Sequence, residues 1–161
     1  VTALQLDRAY CMLSNGGKSV RPYLIKAIVN RDGNIVKLKE PVPPVGYVVK
    51  PETAKWTVED ALVAVVNEGT GTRAKLEKWQ VFGKTGTANI AMEGAKGFSQ
   101  DNYMASFVAG APAENPRIIV LVSIRKPDKS LGKGYTGGAV SSLAVRNIIE
   151  KTLTYLDKQG Q

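Results

Sequence analysis

No histidine occurs among the 161 residues, and that absence removes the Ser-His-Asp triad and every histidine-held metal site at once. The single cysteine, Cys11, excludes an internal disulfide. It falls within a helical pattern, where it reads as core filler rather than nucleophile, and one cysteine leaves the redox compartment open. Aromatic residues are scarce at 7%, and the lysines and arginines are spread along the chain. No stacking platform is interleaved with a basic stripe, so nucleic acid is not expected as a partner. No apolar run approaches membrane-spanning length, since the longest, Ile118 to Ile124, is strand-sized. The first residues form a helical pattern rather than a basic-then-apolar signal, so an export or anchoring segment is expected outside this chain.

What is present is ordinary globular composition. Apolar residues at 43% and charged residues at 22% argue against disorder, and the length suits one domain with a real core. A formal charge of +8 favours an anionic partner, which an acidic cell-wall polymer or a membrane surface would satisfy.

Thr2 and Gln5 make a capping box for a helix over residues 3–15, with Leu6, Ala9, Tyr10 and Leu13 at helical spacing and Gly16-Gly17 as its stop. A β-hairpin is expected over residues 22–38, turning at Asp32-Gly33. The prolines between Pro41 and Pro44 form a stiff connector. A second helix over 51–67 begins at Pro51 and ends before Gly69-Thr70-Gly71. Strands are expected over 81–89, 103–110 and 117–125, and a broad apolar stripe places a final helix over 138–157. Between the first two of these strands, residues 91–102 are polar and glycine-bearing and read as a mobile loop, a gate on composition. The third strand is apolar on both faces and should lie between packed layers, with something covering its outer edge. The fold class is therefore α+β: an antiparallel sheet of at least three strands flanked by helices.

The stretch from Trp79 to Asn89 organises the rest. Val81 and Phe82 carry a strand signal straight into Lys84, Thr85, Gly86 and Thr87. Lys84 brings a fixed positive charge, Thr85 and Thr87 bring hydroxyls, and Gly86 lets a ligand or another backbone approach closely. Such a strand margin suits a peptide-like ligand with a carboxylate. A surface turn would use the same residue types, and so would a phosphate-binding loop. The second is excluded, because the required leading glycine falls at Lys78 and no helix can open through Gly86, Asn89 and Gly94.

In order along the chain, the helix and stop from Val1 to Gly17, Val65 to Gly71, Lys84-Thr85-Gly86-Thr87-Ala88, Ala105 to Pro116 and Tyr135 to Val140 together resemble the carboxy-terminal part of the transpeptidase domain of class B penicillin-binding proteins. The resemblance implies an incomplete penicillin-binding/serine β-lactamase-like domain on the extracytoplasmic face of the bacterial inner membrane, with no cofactor and no metal. It implies a serine-type D,D-transpeptidase, in which a serine attacks a D-Ala-D-Ala stem peptide of peptidoglycan and passes the acyl group to an amine of a neighbouring strand. β-Lactam antibiotics acylate the same serine. Matched residue by residue, Lys84 and Thr87 are implied as catalytic, and Lys84, Thr85, Gly86 and Thr87 as substrate-binding. The amide of Thr87 would be one oxyanion donor.

Two motifs of that family are missing or misplaced. No S-x-N occurs. S-x-x-K occurs at Ser123-Lys126 and Ser130-Lys133, both after Lys84, whereas the family's precedes it and opens a helix. Both read as chance. The nucleophile is accordingly expected in an amino-terminal half of the domain that this chain lacks, a further partner of the chain, and the chain alone is expected to be inactive. Two other readings remain open: a non-catalytic peptidoglycan-binding module, and a β-lactam sensor or β-lactamase-related domain.

Overall fold

The computed structural model describes residues 1–160. Helix α1 (Ala3–Ser14) carries the expected capping box, with the Thr2 hydroxyl accepting from the Gln5 amide at 3.2 Å and Gln5 Oε1 accepting from the Thr2 amide at 2.8 Å. The expected second helix is one helical run in three pieces: α2 (Pro51–Trp56), a π-helical segment Thr57–Leu62, and α3 (Val63–Asn67). The last helix likewise opens with a π-helical turn, Gly137–Ser141, and continues as α4 (Ser142–Lys158).

The hairpin is shorter than its sequence pattern. Strands β1 (Ala27–Val29) and β2 (Ile35–Leu38) pair antiparallel around a five-residue loop. The two-residue turn expected at Asp32-Gly33 does not form, because the Asn30 side chain accepts from the amides of both Asp32 (3.1 Å) and Asn34 (2.9 Å) and widens the loop. All four residues of β2 are exposed.

The main sheet has three antiparallel strands in the order β3 (Phe82–Ala91), β4 (Phe98–Ala111) and β5 (Ile118–Arg125). The expectation of a mobile loop over 91–102 is corrected here. The strands extend into it as a ribbon, with Ala91 opposite Phe98 and only residues 92–97 turning. Its polarity was misleading, because a ribbon projecting past the core is solvated while its backbone is still paired. Asn89 Nδ2 donates to the Ser99 carbonyl at 2.8 Å across it.

Strand alternation divides the core. Phe107, Ala109 and Ala111 on β4 pack against Val145, Ile149 and Leu153 of α4, together with Val66, Leu76 and Val81. On the other face Phe82 packs with Val58, Leu62, Val63 and Ala113, joined by Tyr10 and Leu13 of α1 and Ile119 of β5. The sheet is thus a middle layer with helices on both sides. Phe82 and Phe107 are fully buried, and their faces fix the register that carries Lys84 to Thr87 outward. β5 pairs with β4 alone, so its other margin is open among the described residues, and Ile118 to Val122 remain half-exposed there.

Candidate functional site

Lys84, Thr85, Gly86 and Thr87 lie in the middle of β3, opposite Val108, Phe107, Ser106 and Ala105 of β4. β3 is the first strand of the sheet and pairs only with β4, so its outer margin is free among the described residues. Alternation then separates the four residues. Lys84 and Gly86 share the face of Phe82, and Thr85 and Thr87 share the face of Phe107. Lys84, Gly86 and Thr87 are exposed and Thr85 is half-buried. Lys84 Nζ donates to the Thr85 carbonyl at 3.1 Å, so the ammonium lies back along its own strand margin.

On the face of Thr85 and Thr87 a cleft of about 410 Å³ opens between β3, the turn after α3, and the start of the last helix. Thr70, Thr72, Arg73 and Thr136 line it together with Thr85 and Thr87. Its walls are linked by hydrogen bonds that span the chain. The hydroxyls of Thr70 and Thr85 are 2.7 Å apart. The Gly137 amide donates to Thr87 Oγ1 at 3.2 Å, and Arg73 Nη1 donates to the Ala139 carbonyl at 2.8 Å. Three segments distant in sequence are thereby held in one arrangement, as a preorganised binding site requires.

Close packing makes this possible. A Cβ on Gly137 would collide with the Ser106 carbonyl and lie 2.7 Å from the Gly86 carbonyl, and one on Gly138 would collide with the Thr70 carbonyl. Gly86 differs, since a Cβ there would meet only Ser106 Cβ, at an ordinary 3.8 Å. Nothing among the described residues requires glycine at 86. Beyond the cleft, the Tyr103 and Tyr135 rings stack at 4.5 Å, and Lys129 Nζ sits 4.7 Å and 5.0 Å from their centroids. That stack ties the glycine-rich link to the β3–β4 ribbon and so positions Thr136.

Sequence reading missed Thr70, Arg73 and Thr136 as cleft residues. Gly69-Thr70-Gly71 had the signal of a helix stop, and the same glycines permit the close approach, with a Cβ on Gly71 lying 3.1 Å from the Phe107 ring. Neither S-x-x-K match is built as that motif needs. Ser123 is on β5 with its hydroxyl 2.9 Å from that of Ser106. Ser130 lies in a single 3₁₀ turn and donates to Asp128 at 2.6 Å, bonds that hold the Asp128 carboxyl below its usual range.

The family that this architecture matches is the penicillin binding protein transpeptidase domain, over residues 1–150, and the chain belongs to it. It is 34% identical over 157 residues to stage V sporulation protein D of Bacillus subtilis, covering 97% of this chain and 23% of that protein. With the probable peptidoglycan D,D-transpeptidase PenA of Neisseria gonorrhoeae it shares 31% identity, over 97% of this chain and 24% of that one. Among solved structures, penicillin binding protein 3 of Mycobacterium tuberculosis superposes with a TM-score of 0.81 at 29% identity, covering 98% of this chain and 36% of that chain. The same protein is also known complexed with aztreonam and with ampicillin. The chain spans about a quarter of the length of the curated relatives named here.

Proposed function

We propose that this chain is the carboxy-terminal portion of a serine-type peptidoglycan D,D-transpeptidase domain, facing the periplasmic side of the membrane, and that it supplies one wall of the active site. The observation that carries this is the Lys84-to-Thr87 segment, exposed but for the half-buried Thr85, on a margin of β3 that is free among the described residues, in a chain of this family. The opposite wall, with the attacking serine, belongs to a portion of the domain outside these residues. Two features favour such a portion: neither S-x-x-K opens an α-helix, and β5, largely apolar, has an outer margin unpaired among the described residues, a liability in a finished sheet.

In this reading the Lys84 ammonium stabilises negative charge near the serine and the substrate. The hydroxyls of Thr85 and Thr87 receive the carboxylate of the stem peptide or of a β-lactam. Glycine at 86 leaves room for the ligand, consistent with its empty surroundings inside the chain. The Thr87 amide donates to the oxyanion, and one such donor is worth about 3 kcal/mol of transition-state stabilisation.

Acylation of the transpeptidase that contains this chain by a fluorescent penicillin tests the reading. Lys84→Ala should slow acylation, and Thr87→Pro should slow it about a hundredfold by deleting an amide donor. Wild-type rates in both variants would remove these residues from the site.

A further inference from the structure

The hairpin of β1 and β2 stands apart from the catalytic reading, since none of its residues lines the cleft beside β3. It projects without substantial packing against any other element, and a lone two-stranded ribbon is only marginally stable in water. Between Arg21 and Lys39 the chain carries five cations and one carboxylate, Asp32. Ile28 lies opposite Lys37 and Ala27 opposite Leu38, while the Lys39 amide donates to the Lys26 carbonyl at 2.8 Å. Alternation therefore gathers Lys26, Ile28, Lys37 and Lys39 on one face. The register shift after Ile28 sets Val29 opposite Ile35, so the other face, shared with Ala27 and Leu38, is apolar. Ile35 is 62% exposed and Leu38 53%. On the lysine face a cleft of about 190 Å³ sets Ile25 and Ile28 beside the three lysines, with no carboxylate in its lining. None of the three makes an ion pair among the described residues.

We propose that this hairpin is a docking surface for an extended acidic segment of another protein, one that alternates carboxylate and apolar side chains and adds as a strand along the margin of β2. That strand pairs only with β1 among the described residues. Side chains directly opposite each other in neighbouring strands share a face. A segment of this kind therefore sets its carboxylates against Lys37 and Lys39 and an apolar residue against Leu38 in one pairing, held by main-chain hydrogen bonds. Charge and face together choose this occupant. A bilayer can lie against only one face of a ribbon, and here the lysines and the apolar side chains are on opposite faces. A second copy pairing along the same margin would bring lysine against lysine, the means by which sheet edges avoid one another.

The test uses the transpeptidase containing this chain and two fluorescent octapeptides, one alternating valine with glutamate and one alternating valine with lysine, with binding read by anisotropy. The wild type should bind the acidic peptide saturably and leave the basic one free. Lys26→Glu, Lys37→Glu and Lys39→Glu made together, in a protein whose melting temperature shows it folded, should weaken the acidic peptide roughly tenfold or more and bring on binding of the basic one. Methylating the valine amides of the acidic peptide should abolish its binding, because the pairing with β2 needs those donors. Binding that survives the charge reversal overturns the proposal, and so does a complete transpeptidase that binds neither peptide, its hairpin being covered by the rest of the domain. Association of the wild type with phosphatidylglycerol vesicles but not with the acidic peptide makes a bilayer the occupant and overturns it as well.

Discussion

Gly86 and Gly137 pack together beside the site and answer to different neighbours. Gly137 is hemmed in by the carbonyls of Ser106 and Gly86, so a methyl group must push backbone aside. Gly137→Ala should lower stability by about 1–3 kcal/mol, read as a lower melting temperature of this chain. A Cβ on Gly86 would meet only Ser106 Cβ among the described residues, at 3.8 Å. Gly86→Ala should melt within about 0.5 kcal/mol of wild type, yet slow β-lactam acylation of the complete domain, because the constraint there comes from the ligand. A large loss of stability in Gly86→Ala would place the constraint inside the fold instead. At this scale Lys84 to Thr87 were legible, since strand-forming residues running into a charge, two hydroxyls and a glycine are a local pattern. Arg73 was not. Its role depends on Ala139, sixty-six positions away, and no local pattern encodes that meeting.

Among the elements, α4 ties the segments leading into both edge strands together through one carboxylate. Asp157 accepts from Lys78, just before β3, and from Arg117, just before β5, at 2.7 Å each. The Lys78 hydrogen bond foremost, then that of Arg117, holds its carboxyl below the ordinary value of 3.8. A carboxyl depressed in the folded state contributes stability that is fully present above the unfolded value and is lost as pH falls through the folded one. Asp157→Asn should therefore melt lower than wild type by a constant gap from pH 7 to pH 5, and the gap should begin to narrow below about pH 4 as the carboxyl becomes protonated. A gap that does not narrow at all between pH 5 and pH 2 would mean the ion pairs are not its cause. Helix positions were read well, because the periodicity of Val145, Ile149 and Leu153 is a burial pattern along one segment. The β3–β4 ribbon was read as a loop, because strand pairing satisfies its backbone without leaving an apolar alternation in the sequence.

Across the whole molecule, helices cover both faces of the sheet while its two margins stay open among the described residues, β3 on one side and β5 on the other. The third strand, expected to lie between packed layers, is approached by α1 and α4, yet none of its residues is fully buried. Its outer margin is where we place the rest of the domain, and β3 is where that portion would bring its serine. Order and spacing of short motifs made this architecture readable, whereas the cleft needed the folded chain. The most direct measurement is peptide mapping by mass spectrometry after benzylpenicillin treatment of the complete transpeptidase and of this chain alone. The account predicts one penicilloyl ester in the complete protein, on a serine outside residues 1–161, and none on the isolated chain. An ester on Ser123, Ser130 or any other residue of this chain would contradict it.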